Sequence, residues 1–163
     1  MISHLKKIGY TKIGLLGSSY GGIACTMATS KTDDTFLLVL IAQVSDYKAL
    51  YKIRLSEDER KKWKEDGFID SFDLKLSYEY YEDFENNNGY ESAKNISIPT
   101  LIIHGDADVV VPIEQSIKLK ELIKNSKLEI LNGAGHSCKI NHSKEKCLNL
   151  SANFIQNISK SYI

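Results

Sequence analysis

The chain has 163 residues, 42% of them hydrophobic, and its 21 basic and 21 acidic side chains cancel. That length suits one domain with a buried core, the balanced charge offers no basic field for nucleic acid and no polybasic face for a membrane, and no apolar run approaches the ~20 residues of a membrane helix. Cys25, Cys138 and Cys147 have neither metal nor redox spacing and are odd in number; with no signal-peptide run at the start, the expectation is a cytoplasmic protein with reduced thiols.

Residues 2–8 read as a helix, with Ile2, Leu5 and Ile8 on one face and Gly9 as its stop. A strand follows at about 12–17 and ends in Gly17-Ser18-Ser19-Tyr20-Gly21, a G-x-S-x-G pattern, with a helix over about 21–30 behind it. Strand, tight turn with a central serine, then helix is the context that gives this motif chemical meaning. The turn demands a strained backbone at Ser19, with glycines two residues before and after it to leave room. It holds the hydroxyl clear of the sheet, above the positive end of the helix. A Gly/Ser-rich turn without chemistry would carry the same five letters.

Phe36 to Val44 is an apolar run broken only by Gln43, expected to be a parallel strand buried on both faces. Residues 46–94 then interrupt the alternation. Ser56-Glu57-Asp58-Glu59 is a capping box that opens a helix closed by Gly67, and a second helix is expected over about 73–85. Ten of the fifteen aromatic residues fall here, among them Tyr47, Tyr51, Trp63, Phe72, Tyr81, Phe84 and Tyr90. They are expected either to line an apolar acyl or aryl pocket or to glue two short helices onto the sheet. Asn86-Asn87-Asn88-Gly89 reads as a turn.

Strands recur at about 100–104 and 127–131. The first runs into His104-Gly105-Asp106-Ala107-Asp108, and Pro112 starts a helix over 113–124. The second runs into Asn132-Gly133-Ala134-Gly135-His136. A last helix covers about 143–158, with Cys147, Leu150, Phe154, Ile155 and Ile158 at helical spacing. Parallel strands carry their C-terminal loops to one edge of the sheet. A serine, a loop with two carboxylates and a histidine are thereby delivered to that edge in chain order. A serine hydroxyl becomes a nucleophile only when a base takes its proton, and the base needs an anion to hold its tautomer and developing charge. The remaining histidines fit less well: His4 is on the first helix, His104 is structural at a strand end, and His142 is on the surface at the start of the last helix.

These three motifs in this order resemble the C-terminal part of an α/β-hydrolase, with its nucleophile elbow, an H-G-x-x-D-x-x-V-P acid loop from His104 to Pro112 and a G-x-G-H loop ending at His136. Ser19-Tyr20-Gly21-Gly22 and the acid loop are similar to bacterial carboxylesterases of the cinnamoyl-esterase type and to serine aminopeptidase-like hydrolases. The resemblance implies an α/β fold with a mostly parallel sheet flanked by helices, N-terminally truncated. It implies one domain over residues 1–163 with a helical cap insertion at 46–94. Ser19 matches the nucleophile, with Ser18 a turn residue. Asp108 matches the acid ahead of Asp106, which reads as a turn residue accepting backbone hydrogen bonds. His136 matches the base, and the Tyr20 N–H matches one oxyanion-hole donor. The second donor normally comes from an early loop with no counterpart in this chain.

The implied activity is a serine hydrolase that cleaves small carboxylic esters through an acyl-enzyme, with no metal or cofactor and with neither nucleic acid nor membrane as a partner. The alternatives are a peptidase or thioesterase of the same fold, or a catalytically weak or inactive hydrolase fragment that serves as an interaction or assembly module. The elbow strand, apolar on both faces, would leave one edge unpaired. That implies a homo-oligomer through this edge, a swapped element, or a fragment of a longer protein.

Overall fold

The sheet is built around two strands that are apolar on both sides. In the computed structural model, which describes residues 1–71, 74–86, 88–138 and 143–160, β1 (Ile13–Ser18), β2 (Thr35–Ile41), β5 (Thr100–Gly105) and β6 (Ser126–Leu131) form a parallel sheet in the order β1-β2-β5-β6. β2 and β5 are central and almost wholly buried, as their unbroken apolar runs require. Alternate β2 side chains serve opposite faces. Leu37, Val39 and Ile41 pack with Leu101, Ile103 and Leu131 against Cys147, Leu150 and Phe154 of α8 (Ser143–Lys160). Leu38 and Leu40 pack with Ile102 against α6 (Gly89–Ala93) and α7 (Glu114–Leu122). Each such buried aliphatic side chain contributes roughly 1.5–3 kcal/mol. The fold class is thus the expected one, a parallel sheet with helices on both faces.

β1 is an edge strand paired only with β2 among the described residues, and Leu16 on it is 51% exposed. The helix before it, α1 (Ile2–Lys7), buries no residue. The apolar run of β2 extends past the strand because Ala42 turns with φ +45°, while Gln43 and Val44 remain buried. This turn curls around the start of α2 (Tyr20–Thr29). Ser19 N–H donates to Ile41 O at 2.9 Å, and Val44 N–H donates to Ser19 O at 3.1 Å.

The chain divides into two compact units, residues 1–45 with 89–163, and residues 46–88. The second unit holds α3 (Tyr47–Arg54), α4 (Glu57–Asp66), β3 (Phe68–Ser71), β4 (Leu74–Ser77) and α5 (Tyr78–Asn86). The capping box is present, with Ser56 N–H donating to Glu59 Oε2 at 2.7 Å, and Gly67 ends α4 in the left-handed conformation. The helix expected from residue 73 begins only at Tyr78, because β3 and β4 pair antiparallel as a hairpin. The alternation Leu74-Lys75-Leu76-Ser77 carries the strand signal. Trp63 Nε1–H fixes it by donating to Leu76 O at 3.0 Å, and Tyr78 N–H closes onto Gly67 O at 2.8 Å. The insertion is therefore mixed rather than purely helical. Its aromatics contact one another: Tyr47 stacks on Phe84 at 4.4 Å, and Trp63 lies between Tyr51, Tyr78 and Tyr81. These rings form the small unit's own core. Tyr90 is buried in the larger unit, and Phe72, Asn87 and His142 lie outside the described residues.

Close backbone approach shapes the elbow, but not at both glycines the motif suggests. A Cβ at Gly17 would lie 2.5 Å from Gly21 O, and one at Gly22 would lie 2.1 Å from Gln43 Cβ. A Cβ on Gly21 would meet nothing within 4 Å. The glycine after the serine that the fold requires is Gly22, one place later than G-x-S-x-G implies. Gly22→Ala is expected to cost about 1–3 kcal/mol of stability through overpacking, whereas Gly21→Ala, with open space at its Cβ on α2, is expected to be neutral or to stabilise by up to about 1 kcal/mol. Urea unfolding midpoints of the two variants check this; equal losses would contradict it.

Candidate active site

Ser19 sits between β1 and α2 with φ +51° and ψ −119°. Such a backbone in a non-glycine residue costs on the order of 1–3 kcal/mol and persists only where its surroundings hold it. The strand-end hydrogen bonds around Ile41 and Val44 are that support. Ser19 occupies the N-cap position of α2, yet its hydroxyl makes no capping hydrogen bond. It lies instead 2.9 Å from His136 Nε2.

His136 opens a 3-10 turn, His136–Cys138, past the end of β6. Its Nδ1 lies 2.8 Å from Asp108 Oδ2. A carboxylate can only accept, so Nδ1 carries the proton and Nε2 is left to accept from the serine hydroxyl. Asp108 side-chain exposure is 1% and that of His136 is 20%, so the base is reachable from solvent while the acid is not. The acid and histidine loops are laced together. Ala107 N–H donates to Ala134 O at 3.1 Å and Asp106 N–H to Leu131 O at 3.2 Å. A Cβ on Gly105 would lie 2.1 Å from Ala134 O, so only glycine permits this crossing. Asp106 does what a turn residue does, accepting Gly133 N–H at 2.6 Å.

Three residues assigned from sequence, Ser19, Asp108 and His136, are therefore brought within hydrogen-bond reach in a single line. Ser18 closes β1, and His4 is on α1. Cys138, close to His136 in sequence, is a buried core residue beside Cys147. His104 is more than the strand-end filler expected of it. It is fully buried, with Nε2 3.2 Å from Asp108 Oδ2 and Nδ1 2.6 Å from Ser116 Oγ. Its signal in the sequence was the i, i+4 spacing to Asp108.

Burial pushes the Asp108 carboxyl up, but hydrogen bonds from His104, His136, Val111 N–H and Val110 N–H outweigh it and hold the group well below the usual carboxylate range. Those backbone donors reach Oδ1 at 3.0 and 2.8 Å. Their pull favours a permanently ionised acid, able to orient imidazole and offset the charge it acquires.

Comparison with known proteins bears on this arrangement. The family model of the prolyl oligopeptidase family matches residues 1–161. A putative non-heme chloroperoxidase from Synechocystis is 45% identical over 62 residues, 37% of this chain and 22% of that protein. The uncharacterized peptidase YuxL from Bacillus subtilis is 25% identical over 148 residues, 86% of this chain and 21% of that protein. The matched stretches thus span about a fifth of the length of these curated relatives. Among solved structures, Est1E from Butyrivibrio proteoclasticus superposes with a TM-score of 0.80 at 23% identity, covering 97% of this chain and 66% of that one. A structure of Est1E with ferulic acid bound gives a TM-score of 0.79. Among the described residues no helix is long and apolar enough to cross a membrane.

A carboxyl held low in the folded state stabilises the fold above the unfolded carboxylate pKa of about 4, and that contribution is lost as pH falls below it. Asp108→Asn should therefore lower stability at pH 7 and flatten the loss of stability of the parent chain between about pH 4 and pH 2. Denaturant midpoints measured across that window test this; parallel curves for the two proteins would contradict it.

Proposed function

The chain belongs to the prolyl oligopeptidase family, within the α/β-hydrolase superfamily, and from that premise we propose that it is a serine hydrolase working through an acyl-enzyme. The observation that carries this reading is the unbroken line of contacts from Ser19 Oγ to His136 Nε2 at 2.9 Å and from His136 Nδ1 to Asp108 Oδ2 at 2.8 Å. Ser19 Oγ attacks the substrate carbonyl carbon while His136 Nε2 takes the hydroxyl proton. The oxyanion is stabilised by the Tyr20 N–H at the start of α2, where the helix dipole is positive. His136 returns the proton to the leaving group, the carbon–heteroatom bond breaks, and the acyl group stays on Ser19. Water then attacks the acyl-enzyme with His136 as base, releasing the acid and regenerating the serine. Asp108 keeps the Nδ1–H tautomer throughout. The route uses no metal or cofactor.

The substrate class we propose is small carboxylic esters. The likeness to Est1E, which binds ferulic acid in one of its structures, supports a small aromatic acid as the acyl part. A second reading, peptide-bond hydrolysis by the same steps, is favoured by the family match and by the similarity to YuxL.

A fluorophosphonate probe is expected to label Ser19, located by mass spectrometry, and Ser19→Ala is expected to lose labelling. Ser19→Ala and His136→Ala should each lower p-nitrophenyl ester turnover by at least about 10⁴-fold. An adduct on any other residue, or turnover that survives Ser19→Ala, contradicts the assignment. Parallel assays with aminoacyl and peptidyl nitroanilides separate the two readings.

A further inference from the structure

We propose that His104 is a positioning residue for the acid–base pair: it donates its Nε2–H to Asp108 and keeps that carboxylate fixed on His136. The inference rests on the triad reading above. It follows from where protons can sit around a wholly buried ring. His104 Nε2 lies 3.1 Å from Val111 O and 3.2 Å from Asp108 Oδ2. Both neighbours are acceptors, so an unprotonated Nε2 would set three lone pairs against one another in a site without water access. Nε2 therefore carries a proton.

The other side of the ring is arranged to match. Nδ1 lies 2.6 Å from Ser116 Oγ, and Gln43 Nε2–H donates to that same hydroxyl at 3.0 Å. In a neutral ring with its one hydrogen on Nε2, Nδ1 can only accept, so the Ser116 hydroxyl accepts from Gln43 and gives its own proton to Nδ1. The Nε2 hydrogen is then aimed at Asp108. The donor line runs Gln43, Ser116, His104, Asp108, and meets the line from Ser19 through His136 at one carboxylate oxygen.

The anchoring is rigid because each member belongs to a different packed segment. Gln43 follows β2 and its Cβ abuts Gly22 at the elbow, Ser116 is on α7, and His104 is on β5. Asp108 itself is in a loop. Its Oδ1 is held by Val110 and Val111 N–H groups of that same loop. The Asp108 N–H reaches Gly105 O at the end of β5 at 3.3 Å, and His104 ties its carboxylate to the same strand. The other titratable side chains facing Asp108 are His136 and Cys138. The Cys138 thiol is pushed up by its hydrogen bond to Cys147 and by burial, and stays uncharged.

Among the described residues, removing the His104 donor leaves Oδ2 with His136 as its only side-chain donor. The carboxylate then binds protonated His136 more strongly, so the acid limb of the rate profile moves to higher pH. The looser carboxylate also orients the base less well, which lowers kcat and leaves KM unchanged.

The test compares two polar replacements that differ in reach. A glutamine amide can occupy the place of the imidazole Nε2, whereas an asparagine amide reaches only the place of Nδ1. His104→Asn is expected to lower kcat for a p-nitrophenyl ester by about tenfold, in line with losses on removing groups that orient a site, with KM within about twofold. The rate of Ser19 labelling by a fluorophosphonate should show an acid limb displaced upward. His104→Gln should recover kcat to within about threefold of the parent and restore the limb. Rates are taken per folded molecule, from thermal melts of each variant. In the unmodified chain, nitrogen-15 shifts of His104 should show the proton on Nε2 and none on Nδ1. Equal behaviour of the two variants, a parent-like His104→Asn, or an unprotonated Nε2 overturns the proposal, and the last reading stands whether or not the variants fold. Absence of Ser19 labelling in the unmodified chain refutes the triad instead.

Discussion

The site depends on a backbone conformation that an isolated peptide would not keep. Ser19 has a positive φ, and no property of serine favours it. What holds it is the end of β2. The peptide groups of Ile41 and Val44 bind both sides of Ser19, and Gln43 closes against Gly22 with no space for a methyl group. Held in this way, Ser19 presents its hydroxyl to His136 at 2.9 Å. The buried interior of β2 supplies this rigidity. A strand with Leu38, Val39 and Leu40 fully buried cannot shift without opening cavities on both faces of the sheet.

Asp108 is the second fixed point. A buried carboxylate is costly unless its lone pairs are filled, and here four donors fill them. The arrangement does two things at once. It stabilises the charge strongly enough to keep the group ionised, and it leaves one oxygen directed at His136. The same hydrogen bonds that make burial tolerable set the orientation that acid–base chemistry requires. The lacing between the acid and histidine loops around Gly105 and Ala134 extends this to the base itself. Both loops leave neighbouring parallel strands, β5 and β6, at the same end of the sheet.

The smaller unit follows a different logic. Its aromatic residues fill the space among α3, α4, α5 and the β3–β4 hairpin. In a segment of this size, large rings bury much area per residue, and Trp63 adds a hydrogen bond that pins the hairpin. The aromatic abundance of the sequence is explained by this internal core before any role in ligand contact.

The sequence by itself determined the central strands, the two loops that bear Asp108 and His136, the elbow, and the capping box of α4, because each is a local pattern: an apolar run too long to be half-exposed, a glycine-spaced serine, a serine three residues before a glutamate. It failed where one local signal met another. Leu74 to Ser77 alternates like a strand but lies beside a helical stretch, and pairing with β3 together with the Trp63 contact decided between them. The glycine that the elbow needs sterically is Gly22 rather than Gly21, since the obstacle is Gln43, a residue distant in the chain. The role of His104 was hidden for the same reason. Its Nε2 is defined by Val111 O and Asp108, its Nδ1 by Ser116 and, behind that, Gln43. Residue type and spacing say which groups can donate or accept. Which lone pair faces which proton is settled only when strands and helices far apart in the chain are packed together, because a buried hydrogen bond is a property of a place and not of a residue.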